Sequence, residues 1–212
     1  MKLRALFVAT GCAMALAPAA LAGIVIDLGG GWQATTFDED AVDLAVEFVS
    51  IEEDILVLRK FASFDKIDPF TGQPAPLHIA FNQIDDDDLT VSRIVITDEL
   101  VFNNTSLDWT SYRNILLGGN VAWNQAESAD FSIDPFAMRS YSDDSGIVTF
   151  FGGVVRDGEE WTPGLDSGGL QIDVDLSGDE RVKFVLKESP LPAPGAIALL
   201  GIAALGRRRR RA

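Results

Sequence analysis

Cysteine is almost missing from this chain, with Cys12 the one example in 212 residues. Histidine is equally scarce, represented by His78 alone, and basic residues number 17 against 32 acidic ones. Each shortage excludes a class of chemistry. Cys12 sits in an N-terminal stretch that reads as a removable leader. Once that leader is gone, the body has no disulfide, no cysteine metal ligand and no thiol nucleophile. A single histidine cannot build a zinc site without sister ligands. No Gly-x-Ser-x-Gly elbow is present to pair with it in a serine triad. Stability has to come from packing.

The shortage of basic residues deepens in the middle of the chain. Lys2, Arg4 and Arg207 to Arg211 lie at the two ends, so ten of the 17 basic residues remain against all 32 acidic ones between Asp27 and Glu188, a net charge near −22. Such a surface repels phosphate backbones and anionic lipid, which excludes nucleic acid as a partner. It suits solubility, and it would also attract divalent cations or a cationic partner.

What is present begins with the leader. Lys2 and Arg4 precede an apolar and small-residue stretch from Ala5 to Leu21, and Ala20-Leu21-Ala22 forms a small-x-small cleavage site. Residues 1–22 therefore read as a secretory signal peptide, recognised by the export translocon and cut before Gly23. A retained membrane helix fits less well, because the apolar run is short and Pro18 interrupts it. Ala9-Thr10-Gly11-Cys12 loosely resembles a lipobox, but Ala9 stands where leucine is usual and the apolar run continues beyond Cys12.

Residues 23–188 read as one all-β domain, a single antiparallel, jelly-roll-like β-sandwich. Val42, Leu44, Val46 and Phe48 alternate with Asp43, Ala45, Glu47 and Val49. Further strands are predicted at Ile55 to Leu58, Leu77 to Phe81, Leu89 to Ile96, Ile147 to Val155, Leu170 to Leu176 and Arg181 to Leu186. Asp68-Pro69, Asp157-Gly158, Pro163-Gly164, Ser167-Gly168-Gly169 and Ser177-Gly178-Asp179 supply the turns between them. Between Asp40 and Phe61 a helical spacing competes, and β-branched content favours strands. A three-residue loop at Ser177-Gly178-Asp179 predicts a hairpin in which Asp175 faces Arg181 and Asp173 faces Lys183. On its other face Val174 would meet Val182 and Ile172 would meet Phe184.

Several stretches invite a chemical reading. Asp173-x-Asp175-x-Ser177-Gly178-Asp179 matches the opening of a calcium loop, with oxygen ligands at alternate positions. Its twelfth position is Phe184 rather than glutamate, and strands flank it, so a plain hairpin competes. Asp85 to Asp88 and Asp143-Asp144-Ser145-Gly146 are dense carboxylate runs that read first as solvated loop tips. Paired carboxylates for glycoside hydrolysis are not distinguishable among so many acids. Trp32, Trp109, Trp123 and Trp161 would serve either a sugar-stacking platform or the core. Gly29-Gly30-Gly31 reads as a flexible lead-in, and Asn103-Asn104-Thr105-Ser106 holds overlapping glycosylation acceptors.

Residues 189–212 differ in character: Ser189-Pro190-Leu191-Pro192-Ala193-Pro194-Gly195, then a small apolar run to Gly206, then Arg207, Arg208, Arg209, Arg210 and Arg211. The apolar run is marginally long enough for a transmembrane helix if it reaches back to Leu191 and the arginines snorkel. Basic residues at its end would stay cytoplasmic, making the tail a stop-transfer segment. A proline motif, a short apolar helix and a terminal arginine cluster together resemble the PEP-CTERM class of bacterial sorting signals. Here Pro192-Ala193-Pro194 stands where Pro-Glu-Pro is usual, and Pro190-Leu191-Pro192-Ala193 is similar to the sister variant Val-Pro-Leu-Pro-Ala. The resemblance implies that an exosortase-type membrane protease reads and processes the motif Pro192, Ala193, Pro194 and Gly195. It also implies placement in the envelope, on the surface or in the matrix outside a Gram-negative-type cell. The segment from Asp98 to Thr110, with its Asn-Asn-Thr turn and Asp108-Trp109 pair, looks like one found in extracellular β-sandwich proteins bearing such tails.

The expectation is thus an exported surface or matrix protein without catalytic activity or resident cofactor. The competing expectation is a secreted module that binds exopolysaccharide or calcium.

Overall fold

The computed structural model describes residues 24–36, 44–87, 89–165 and 167–193. The signal-peptide residues Ala20 and Ala22, Pro194, Gly195, the apolar run and the five terminal arginines lie outside these. Among the described residues every regular element is a strand, and none is a helix long and apolar enough to cross a membrane.

Among the described residues thirteen strands make two sheets. The first sheet contains β1 (Val25–Gly29), β2 (Trp32–Thr36), β5 (Leu77–Gln83) and β7 (Trp109–Leu117). It also holds β9 (Met138–Tyr141), β10 (Ile147–Val155) and β13 (Lys183–Pro192), in the order β1-β2-β5-β13-β7-β10-β9. The second runs β3-β4-β6-β12-β8, formed by β3 (Leu44–Glu52), β4 (Ile55–Phe64), β6 (Arg93–Asn103), β12 (Leu170–Val174) and β8 (Val121–Trp123). A two-residue strand, β11 (Glu160–Trp161), pairs with the far end of β6.

Period-two burial generates this architecture. Along β4 the residues Leu56, Leu58, Lys60, Ala62 and Phe64 are buried, while Arg59 and Phe61 between them are exposed. Aromatic rings from the two sheets meet between them: Phe64 of β4 lies 5.3 Å from Trp109 and 5.9 Å from Tyr112, both on β7. Face-to-face burial of two inward surfaces is the arrangement of a β-sandwich.

One expectation about direction needs correction. The pair β4–β6 is parallel, with Leu56 beside Ile94 and Leu58 beside Ile96. The chain between them detours through β5 in the other sheet and returns at the same end, so an antiparallel return is lost.

The predicted hairpin between Leu170 and Leu186 also fails. β12 pairs with β6 and β8, whereas β13 pairs with β5 and β7 in the opposite sheet. Val174 and Val182 are both buried, but Val174 ends β12 whereas Val182 leads into β13 of the opposite sheet. Matching parity across a turn is satisfied equally by a crossover between facing sheets, so the pattern alone could not separate them.

Gly29-Gly30-Gly31 is structured, contrary to its reading as a lead-in. All three have positive φ (71°, 55° and 79°) and they close the β1–β2 hairpin. A Cβ on Gly31 would come within 2.6 Å of Thr90 Oγ1. This tight approach lets the Trp32 indole N–H donate to the Val91 carbonyl at 2.9 Å.

Candidate functional site

Three charged groups occupy the dry space between the sheets. Lys60 on β4, Glu99 on β6 and Glu188 on β13 are each no more than 2% exposed. Lys60 Nζ lies 2.8 Å from Glu99 Oε2 and also contacts Glu188 Oε1. Tyr112 donates its hydroxyl to Glu188 Oε2 at 2.8 Å. Glu99 Oε1, although buried, has no hydrogen-bond partner among the described residues.

Local structure explains how these groups converge. Lys60 continues the inward parity of β4, and Glu188 that of Phe184 and Leu186 on β13. Glu99 is inward only because β6 carries a bulge. Ile94 and Ile96 point inward, then Asp98 adopts φ 46° and shifts the parity, so that Glu99, Val101 and Asn103 are buried. The register with β4 slips at this point, from Arg59 beside Thr97 to Phe61 beside Leu100, placing Lys60 opposite the bulge. Outside, Arg59 holds the bulged Asp98 at 3.2 Å.

Aromatic walls keep water from the cluster. Tyr112 lies edge-on to Trp161 at 4.8 Å, and Phe136 packs against the same indole at 5.1 Å. In such surroundings charge is expensive, and the ionisation equilibria shift accordingly. Burial pushes the Glu99 carboxyl above its usual range, and the Glu188 carboxylate adds to this against the pull of Lys60. Burial alone would weaken the Lys60 ammonium, but the two facing carboxylates outweigh it and raise its affinity for the proton. Burial, then Glu188 and Glu99, drive the Tyr112 phenol well above its ordinary value, so it stays a donor. The Lys60 ammonium is thus held by its two acidic neighbours, while burial favours the protonated form of Glu99 more than water would.

The residues singled out from sequence fall elsewhere. Asp173 accepts hydrogen bonds from Asn124 at 2.8 Å and Gln171 at 2.7 Å, and Asp175 accepts the Ser177 amide at 2.9 Å. Asp179 stands apart, in a cleft where the 177–181 loop meets Asp86 and Asp87, with Arg181 paired to Asp86 at 3.6 Å. The described residues contain no group of three acidic, histidine or cysteine side chains disposed to hold a metal. Trp32, Trp109, Trp123 and Trp161 are all buried, so the described surface presents no tryptophan platform. His78 is half-buried on β5 beside Lys187 of β13.

The chain matches no family model, no curated protein and no solved structure.

The Asn103–Trp109 corner is the other buried polar construction. Asn103 donates to the carbonyls of Leu107 (2.8 Å) and Val155 (3.1 Å), while its Oδ1 accepts from the Thr105 hydroxyl and amide. Trp109 Nε1 in turn donates to Thr105 Oγ1 at 3.0 Å. Asn103 is fully buried and so committed to structure, whereas Asn104 is the exposed acceptor of the glycosylation pair. Asn103→Ala orphans several buried groups at once and is expected to lower unfolding stability by about 2–3 kcal/mol, measured by urea denaturation.

The proline motif meets the folded body directly. β13 continues through Ser189, Pro190, Leu191 and Pro192, with Pro190 beside Tyr112 and Pro192 beside Trp109. The Ala193 amide donates to the Asp108 carbonyl at 3.2 Å. Past Glu188, β13 is flanked by β7 alone, because its pairing with β5 ends at Leu77. A locally one-sided strand tolerates residues that lack an N–H. The boundary drawn at residue 188 therefore falls inside a strand, and Pro192 and Ala193 belong to the sandwich as well as to the motif.

Proposed function

We propose that this is an exported cell-surface or extracellular-matrix protein, built on a jelly-roll-like sandwich and without catalytic activity of its own. A signal peptide would deliver it through the export translocon. An exosortase-type membrane protease would then read Pro192-Ala193-Pro194-Gly195 while the terminal arginines hold the precursor at the inner membrane. The observation that carries this reading is the three-part tail: proline motif, short apolar run and five arginines. Support comes also from the acidic, cysteine-poor body, which suits a soluble exported domain, and from the direct junction of β13 with the motif.

The test is the C-terminus of the protein recovered from envelope and extracellular fractions of a host carrying an exosortase. Mass spectrometry is expected to place that terminus between Pro192 and Gly195. Exported protein that keeps all five arginines would overturn the processing step.

A further inference from the structure

We propose that Lys60 and Glu99 become joined through an intramolecular amide bond, Lys60 Nζ to Glu99 Cδ, with Glu188 carrying the protons. The two residues project inward from adjacent parallel strands of one sheet, and Glu188 reaches them from the facing sheet. Nζ lies 2.8 Å from Glu99 Oε2, so the nitrogen is already held against the carboxyl it would attack. A carboxylate resists attack by an amine, whereas a neutral carboxylic acid accepts it. Glu99 sits where the neutral form is favoured, with one oxygen lacking any partner among the described residues.

The step balances within the cluster. It starts from the Lys60 ammonium, the Glu99 carboxylic acid and the Glu188 carboxylate. One ammonium proton passes to Glu188, leaving a neutral amine. Its lone pair attacks Glu99 Cδ, forming the C–N bond and opening the carbonyl to a tetrahedral centre. Glu188 gives its proton to the departing hydroxyl, which leaves as water when the C–O bond breaks. Glu188 then takes the extra proton from nitrogen and ends as a neutral acid against the new amide. Nothing is oxidised or reduced. A charge pair confined to a dry interior is replaced by neutral groups and one water.

Tyr112 is the positioning residue. Its hydroxyl fixes Glu188 Oε2 at 2.8 Å and leaves Oε1 facing the lysine. Fixed geometry matters because well-oriented intramolecular reactions reach effective concentrations of about 10⁵–10⁸ M. That allows an amide to form without an activated acid.

Intact-mass spectrometry of the purified, folded exported protein tests the bond. The expected mass is about 18 Da, one water, below the value calculated from the sequence of the same species. Trypsin should then yield a branched product in which 60–66 is joined to 94–113, because an acylated Lys60 is no longer cleaved. Lys60→Arg is expected to show no loss. Glu188→Gln is expected to keep Lys60 and Glu99 but accumulate the unlinked mass, which a merely structural role for Glu188 would not produce. Folded native protein at its full sequence mass would overturn the bond. A branch point mapping to Glu188 would overturn the assignment to Glu99, and full linkage in Glu188→Gln would overturn the proton carrier.

Discussion

Lys60→Met is expected to lower unfolding stability by about 3–5 kcal/mol, because it leaves two facing carboxyl groups buried without a cation. Glu99 and Glu188 both lie within reach of the lysine nitrogen and are otherwise walled by Tyr112, Trp161 and the inner faces of both sheets. Without the cation the two buried acids must share a proton, take up two or repel each other at neutral pH, and each outcome costs stability. A second variant separates this cost from loss of packing. Lys60→Met, Glu99→Leu and Glu188→Leu, combined with Tyr112→Phe, remove every polar partner together. This quadruple variant is expected to be about 3 kcal/mol more stable than Lys60→Met alone, since apolar residues can fill such a site without desolvation cost. Chemical denaturation of the two variants side by side gives the difference. A quadruple variant no more stable than the single one would show that the lysine contributes through its shape, not its charge.

That comparison bears on why a chain whose one cysteine is Cys12 keeps ions in its core. Small exported domains usually gain stability from disulfides, and this chain, with Cys12 its one cysteine, can form none within itself. A covalent link between Lys60 on β4 and Glu99 on β6 would join residues 39 apart in the chain, which between them visits the other sheet. Constraining a loop of that size restricts the unfolded chain much as a disulfide does.

The sandwich was legible where burial alternates on a single strand. Ile147–Val155 is a strand with the limits its residues suggest, and the β-branched run from Leu44 to Phe64 resolves into β3 and β4 rather than a helix. The central cluster was less legible, though two of its members left a trace. Lys60 occupies the apolar parity of β4 among Leu58, Ala62 and Phe64, and Glu188 follows Phe184 and Leu186 in the same way. A charged residue on the buried parity of a strand is a signal for an interior partner. Glu99 left none, because the bulge at Asp98 shifts its side from the outer to the inner face, and nothing local in Thr97-Asp98-Glu99 announces the change. The Asp173–Asp179 stretch illustrates a different limit: oxygen spacing alone does not reveal that Asn124 and Gln171 donate to Asp173. Long-range pairing assigns those oxygens, and spacing is blind to it.

A chain ending at Glu188 is expected to lose on the order of 5 kcal/mol relative to one ending at Gly195, by the burial of two side chains and several ladder bonds. The four residues removed from β13 pair with β7 beside Tyr112 and Trp109, and both prolines are buried there. Their loss would open the aromatic wall next to the Lys60 cluster to water. The Ala193 tie to the Asp108 carbonyl would go with them, freeing the corner that Asn103 and Thr105 organise. Most single domains have only about 5–15 kcal/mol in total, so the shorter chain should be largely unfolded or strongly thermolabile, while the chain ending at Gly195 should melt cooperatively. Thermal unfolding of the two truncated proteins, both made without the signal peptide, decides this. Equal melting temperatures would mean that β13 is complete at Glu188. If the shorter chain fails as expected, a chain cut at Glu188 cannot hold the domain together. Any cleavage of the tail proposed for this chain would then keep the fold only where it leaves β13 intact through Pro192.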